Sequence, residues 1–190
     1  MRYRDSIFVS LLKPVCRRRF RAIVEVHKAD AYDKSFGSWD HLVALIYAQL
    51  SSANSLRGLE AGWNANAHHH YHLGSGPIAR STLADANRRR PPEVFAQTFA
   101  QLSELTGRRL YREGREMIRL IDATPIPLGK LCEWARWNGR TRGLKMHIVY
   151  DPQADHPRRI TITSSTVNDV EVGRKEPIEA GAIYVFDKAY

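Results

Sequence analysis

Met117, Ile118, Arg119, Leu120, Ile121 and Asp122 form a mostly apolar run closed by a carboxylate, and Ile183, Tyr184, Val185, Phe186 and Asp187 repeat that design further along the chain. Each reads as a short buried strand that emerges at an aspartate. Between them the residues Leu144 to Tyr150 and Arg159 to Thr166 have strand character. A helix is entered at Asn168 or Asp169 and runs to about Ala180, with Pro177 disturbing its second half. The order strand, strand, strand, helix, strand predicts a sheet whose first three strands form an antiparallel meander. The fourth returns through the helix to lie parallel beside the first. Asp122 and Asp187 then meet at one edge of the sheet.

Upstream of Gly107 the periodicity changes from strand to helix. Trp39, Leu42, Val43, Ile46 and Leu50 recur at three- and four-residue steps behind a candidate N-cap at Ser38. A second helix fits Ser55 to Gly62, and a loop rich in Gly, His and Asn follows to Gly76. A third starts at Pro77 or Ser81 and stops at Arg90, because Pro91 disfavours helical backbone in the residue before it. Pro91 and Pro92 open a fourth helix, with Val94, Phe95, Phe99, Leu102 and Leu105 on one face and Gly107 as its end. The fold class is therefore α+β, with a helical domain over 1–107 and an α/β domain over 108–190. A charged connector, Arg108 to Glu116, joins the two.

Charge narrows the partners. The 190 residues carry 29 Lys+Arg against 20 Asp+Glu, a net +9, which favours a polyanion. The excess sits in front: residues 1–110 hold 16 basic and 9 acidic side chains, residues 111–190 hold 13 and 11. No apolar run approaches the length of a membrane span, and the start does not read as a signal peptide, so the expectation is a cytoplasmic protein without a membrane partner. Cys16 and Cys132 have no metal-knuckle spacing and read as reduced.

Two aspartates brought together at a sheet edge repel unless a cation lies between them, and oxygen ligands with positions left to water suit Mg²⁺. Phosphodiester chemistry uses such ions to activate the attacking oxygen and stabilise the leaving one. The competing reading is a turn: an Asp followed by Ala123, Thr124 and Pro125 bonds its own backbone and carries no chemistry.

In register, these segments resemble the insertion-sequence-four group of DDE transposases. The first-Asp segment corresponds to Ile121-Asp122-Ala123-Thr124, and a Gly-x-Lys-x-His segment to Gly143-Leu144-Lys145-Met146-His147. The strand from Pro157 to Thr166, Asp169 beyond it, and a second-Asp segment Asp187-Lys188-Ala189-Tyr190 complete the likeness. Upstream, Trp39, Ala48-Gln49-Leu50, Ser55-Leu56-Arg57, Tyr71-His72-Leu73-Gly74 and Arg80-Ser81-Thr82-Leu83-Ala84-Asp85-Ala86-Asn87 resemble the N-terminal domain of unknown function that often precedes this catalytic domain.

The resemblance implies a ribonuclease H-like catalytic domain, here incomplete, in which Asp122 and Asp187 bind two Mg²⁺ or Mn²⁺ ions for DNA strand cleavage and transfer. It implies transposon ends and target DNA as partners, a bacterial nucleoid-associated setting, and association with another copy or a complete transposase. The family's third carboxylate, a Glu in a Tyr-Arg-Glu-Lys type signature, comes downstream of the second Asp. Glu133, Glu171, Glu176 and Glu179 all precede Asp187. The expectation is a truncated transposase inactive by itself, or alternatively a DNA-binding inhibitor of transposition without catalysis.

The expected DNA contacts divide between the domains. Lys145 and His147 share a strand face by the period of two, and a basic pair near the carboxylates suits a phosphate; the alternative is a solvated lysine and a structural histidine. Lys188 adjoins Asp187. In the first domain a helix-turn-helix-like arrangement places the third helix, with Arg80, Asn87, Arg88, Arg89 and Arg90, in the major groove. The arginines Arg17, Arg18, Arg19 and Arg21 invite the same reading, against that of a solvated basic face. His68, His69, His70 and His72 lack a partnering ligand at metal spacing and read as a loop.

Overall fold

A computed structural model describes residues 7–31, 33, 35–111, 117–128, 135 and 142–188. The chain divides into two compact units, 1–99 and 100–190.

Among the described residues, six α-helices and the start of a seventh make the first unit. Helix α1 (Ile7–Leu12) and α2 (Arg17–Val26) precede α3 (Ser38–Leu50), α4 (Leu56–Ala65), the single turn α5 (His70–Leu73) and α6 (Arg80–Arg89). The N-cap of α3 is Gly37 rather than Ser38. Asp40 accepts the Gly37 N–H at 3.0 Å, while the amide and hydroxyl of Ser38 both donate to Asp30. Ser55, expected as the first residue of the second helix, is instead the N-cap of α4 and accepts from Gly58 N at 3.0 Å. The histidine-rich loop is partly helical, because His70 is buried against Trp63. Their rings stack at 4.6 Å, and His70 Nε2 lies 3.0 Å from the Trp63 carbonyl. Val43, Ala44, Leu59, Trp63, Leu73, Ile78 and Leu83 form the main core, and Phe20, Ile23, Val24, Leu42 and Val94 a second.

The seventh helix, α7 (Glu93–Tyr111), starts behind Pro91 and Pro92 as expected, but Gly107 does not end it. A glycine inside a helix costs about 1 kcal/mol relative to alanine. Arg108, Arg109 and Leu110 are good helix formers and carry the helix on to Tyr111. Of the expected connector, residues 112–116 lie outside the described residues, as do Cys132, Glu133, Ala189 and Tyr190.

The second unit contains a four-stranded sheet in the order β3-β2-β1-β4, built from β1 (Met117–Pro127), β2 (Gly143–Asp151), β3 (His156–Ser164) and β4 (Ala182–Val185). Strands β1, β2 and β3 are an antiparallel meander, and β4 lies parallel to β1, the topology predicted above. Helix α8 (Asp169–Lys175) makes the return. Asn168 caps it by accepting from Val170 N at 3.2 Å, and it ends before Pro177 rather than reaching Ala180. Two boundaries differ from expectation at the aspartates. Strand β1 continues past Asp122 to Pro127, because its other edge keeps pairing with β2 as far as Gly143. Strand β4 stops at Val185, two residues before Asp187.

Gly143 has a steric role where β1 and β2 meet. A Cβ built there would lie 2.2 Å from the Ile126 carbonyl oxygen, so the lysine-histidine segment begins with the residue that lets the strands approach.

Candidate metal and nucleic-acid sites

Pairing fixes which side chains share a face. Parallel β1 and β4 pair Met117 with Ala182, Ile118 with Ile183, Arg119 with Tyr184 and Leu120 with Val185. Asp122 lies two positions beyond Leu120, and Asp187 two positions beyond Val185. Both are exposed; Asp122 is still within β1 and paired with β2, whereas Asp187 follows the end of β4. Asp122 stands opposite Ile148, which stands opposite Ile160, so its face also carries Ile118, Leu120, Ile183 and Val185.

The other face holds the basic residues. Lys145 is paired with Pro125 and Thr163, and His147 with Ala123 and Thr161. They share a face, as the period of two required, but it is the face away from Asp122. Lys145 Nζ sits 2.8 Å from Asp169 Oδ1 and donates to the Val167 carbonyl at 3.1 Å. His147 is buried, with Nε2 3.0 Å from Thr163 Oγ1 and Nδ1 3.7 Å from Asp169. Burial lowers the His147 pKa below its ordinary value; Asp169 opposes the shift and Lys145 adds to it. Both side chains clip α8 to the sheet.

The same face continues this pattern. Arg119, 2% exposed, reaches Asp151 at 2.9 Å and Glu179 at 2.8 Å, and Arg158 lies 3.5 Å from Glu179. Arg159 pairs with Glu176. Burial disfavours the Glu179 carboxylate, but the hydrogen bond and charge of Arg119 outweigh it and hold its pKa below the ordinary value.

Among the described residues no group of three or more His, Cys, Asp or Glu side chains stands together as a metal cage. The two exposed aspartates, Asp122 and Asp187, each carry a carboxylate. They offer oxygen donors and leave other positions to water and phosphate, which is how Mg²⁺ is commonly bound. The donor set fits that ion class.

Residues 113–190 match the family described as "Transposase DDE domain". The matched segment contains both aspartates, the Gly143 to His147 stretch and the Arg119 ion pairs with Asp151 and Glu179. Residues 3–75 match a "Domain of unknown function". Over 108 residues the chain is 61% identical to "Putative transposase y4zB" of Sinorhizobium fredii (strain NBRC 101917 / NGR234), covering 57% of this chain and 30% of that protein. Over 113 residues it is 26% identical to "Probable transposase for insertion sequence element IS5377" of Geobacillus stearothermophilus, covering 58% of this chain and 30% of that protein. The chain thus spans under a third of each of these relatives. No solved structure gives a significant match.

In the first unit the residues expected on the recognition helix have unequal fates. Arg80, Asn87, Arg88 and Arg89 are exposed on α6. Arg90 is not: it is 7% exposed, bonded to Asp33 at 2.6 Å and to the Phe36 carbonyl, with Asp30 at 3.5 Å. Pro91 forces Arg90 out of helical backbone, and the side chain turns into the core instead of continuing the basic row. Asn87 Oδ1 is 2.7 Å from His41 Nε2, and Arg88 is paired with Asp85 at 2.5 Å. Sequence reasoning passed over Arg119 because an arginine inside an apolar run reads as an interruption. Its alternation with Ile118 and Leu120 was the available signal.

Among the described residues no helix is long and apolar enough to cross a membrane.

Proposed function

We propose that this chain is part of a DDE transposase of the insertion-sequence-four type. In this reading Asp122 and Asp187 hold divalent cations, Mg²⁺ or Mn²⁺, two in the complete site, for cleavage and transfer of DNA strands. The observation that carries it is that Asp122 and Asp187 each follow the paired Leu120 and Val185 by two residues, inside the segment that matches the transposase DDE domain. The relatives named as transposases support the same reading. The meander with a parallel fourth strand supports a ribonuclease H-like catalytic domain.

The bound cations supply Lewis acidity for an in-line displacement at phosphorus. In this reading the chain's own part is to present the two carboxylates from neighbouring β1 and the segment after β4. The parallel ladder holds the two strands together up to Leu120 and Val185, and the Arg119 to Glu179 pair ties the approach to β4 against β1. In this reading Lys188, exposed beside Asp187, meets a DNA phosphate, and Arg80, Asn87, Arg88 and Arg89, exposed on α6, read base edges from a helix-turn-helix-like first unit.

Titration of the chain with Mn²⁺, followed by electron paramagnetic resonance of the free ion, tests the site. Wild type is expected to bind the ion, and Asp122→Asn or Asp187→Asn to lose most of that binding. Equal binding by all three proteins would remove the metal reading.

A further inference from the structure

The expected DNA helix is a poor polyanion surface once its neighbours are counted. Arg88 faces Asp85, Arg89 lies 3.7 Å from Asp33, Arg90 is buried on Asp33 and Asp30, and the Arg80 amide is held by Glu60. Three arginine side chains there meet three carboxylates, while Glu60 takes the Arg80 main-chain N–H rather than its guanidinium. Phosphate recognition gains its free energy by releasing counterions from DNA, and a cation already matched by a carboxylate contributes little to that release.

Helix α2 is built differently. Its buried face is Phe20, Ile23 and Val24, packed with Leu42 and Val94, so α2 is anchored through one side. At 100° per residue, Arg18, Arg19 and Arg21 fall outside that buried arc, and all three are exposed. Among the described residues no carboxylate pairs with any of them. Glu25 is the sole acidic residue on the helix, and Lys28 follows its end. Asp30 lines the same cavity as Arg17 and Arg21, but its carboxylate is occupied by the amide and hydroxyl of Ser38. The helix is also held in place. Arg17 donates to the Leu73 carbonyl at 2.7 Å and to the Gly74 carbonyl at 3.0 Å, and its guanidinium lies 4.5 Å from the Trp39 ring centroid. The result is a row of unmatched guanidinium groups on a rigid support, in the half of the chain that carries the excess positive charge.

We infer that the exposed face of α2, with Arg18, Arg19 and Arg21, is the principal phosphate-backbone contact of the first unit, and that its partner is duplex DNA. The choice of DNA rests on the function proposed above; the choice of α2 rests on the charge balance alone. Because guanidinium groups on an exposed helix face contact phosphates without needing to reach base edges, this surface supplies affinity and leaves sequence reading to other residues.

The test is fluorescence anisotropy of a labelled 20-base-pair duplex with the whole chain across a salt series. It compares wild type, the triple variant Arg18→Ala, Arg19→Ala, Arg21→Ala, and the double variant Arg88→Ala, Arg89→Ala. Each lost phosphate contact lowers the slope of log affinity against log salt by about 0.9. The triple variant is expected to lose about 2 to 3 from that slope and at least tenfold in affinity at about 0.1 M salt, and the double variant less than half as much. Circular dichroism confirms folding of both, since none of the five side chains is buried.

An unchanged slope in the triple variant, a larger loss in the double variant, or no DNA binding by wild type overturns the inference. Tighter binding to single-stranded RNA, or to vesicles rich in anionic lipid, overturns the assignment to DNA. Mn²⁺ binding by the triple variant separates the two readings. If wild type and triple variant both fail to bind Mn²⁺ while the salt slopes behave as expected, the catalytic proposal falls and the α2 surface stands.

Discussion

Arg119 Nη2 and Glu179 Oε2 lie 2.8 Å apart and join the first strand of the sheet to the turn that feeds the last. The Glu179 amide also lies 3.0 Å from the Tyr184 hydroxyl, and Tyr184 is the β4 residue paired with Arg119. The entry into β4 is therefore bonded to the strand it must lie beside. Breaking a buried ion pair from one side leaves an uncompensated charge and typically costs about 3–5 kcal/mol. Arg119→Ala is expected to cost that much in urea unfolding, since it strands Asp151 in a buried position. Glu179→Ala leaves the Asp151 pair intact and is expected to cost about 1.5–3 kcal/mol, the range for a charged hydrogen bond. Its particular signature is faster amide hydrogen exchange at 182–185 with β2 and β3 protected. Uniform exchange across the sheet would show that Glu179 does not tether β4.

Asp122→Asn tests the neighbouring carboxylates without any ligand. Like charges side by side on a sheet destabilise it by about 0.2–1 kcal/mol, and salt screens the effect. In chelator and low salt the variant should be more stable than wild type by about that amount, and the gain should vanish near 1 M salt. A variant less stable than wild type under both conditions would place the two aspartates out of electrostatic reach of each other.

Histidine burial makes stability pH dependent. Burial lowers the His41 pKa below its ordinary 6.5; the Asn87 hydrogen bond opposes the shift and the Arg90 charge adds to it. His147 is shifted in the same direction. As pH falls through about 6.5 the unfolded chain takes up protons that the folded chain refuses. The contribution is therefore full above the unfolded value and is lost as pH drops toward the folded one. Urea unfolding at three pH values from about 7.5 to 5.5 should show stability falling on acidification. His41→Gln should remove part of that slope whatever it does to stability at neutral pH; a slope as steep as wild type would contradict the assignment.

Gly74 ends α5 at φ +55°, where a side chain is strained, and a Cβ there would lie 2.0 Å from an Arg17 guanidinium nitrogen. Arg17 can swing away only by giving up its bonds to the Leu73 and Gly74 carbonyls. Gly74→Ala is expected to cost about 1–3 kcal/mol, combining the left-handed backbone penalty with a charged hydrogen bond. Arg17→Met in the same background should reduce that cost, which a double-mutant cycle in urea measures directly.

The short apolar runs, such as Met117 to Ile121 and Ile183 to Phe186, and the capped segment after Asn168 were enough to predict four strands, a return helix and their topology, because strand character and connection handedness follow local rules. The cap at Asn168 and the break before Pro91 were legible for the same reason: each depends on one or two residues and their own backbone. The short helices α1 and α2 were missed because Arg17, Arg18 and Arg19 obscure the apolar spacing of Phe20, Ile23 and Val24, which becomes an interface only when Leu42 and Val94 arrive.

Residue identity alone determined that this chain carries two aspartates behind apolar runs, a basic first half and the segments that resemble transposases. Tertiary structure decided how its charges are used. Arg90 and Arg88 look alike in sequence, yet one is buried on Asp33 and the other exposed beside Asp85. Lys145 and His147 share a face in any strand, but only pairing with β1 shows that it is the face opposite Asp122. Electrostatic interactions depend on distance in space and on burial, and neither quantity is a property of position along the chain.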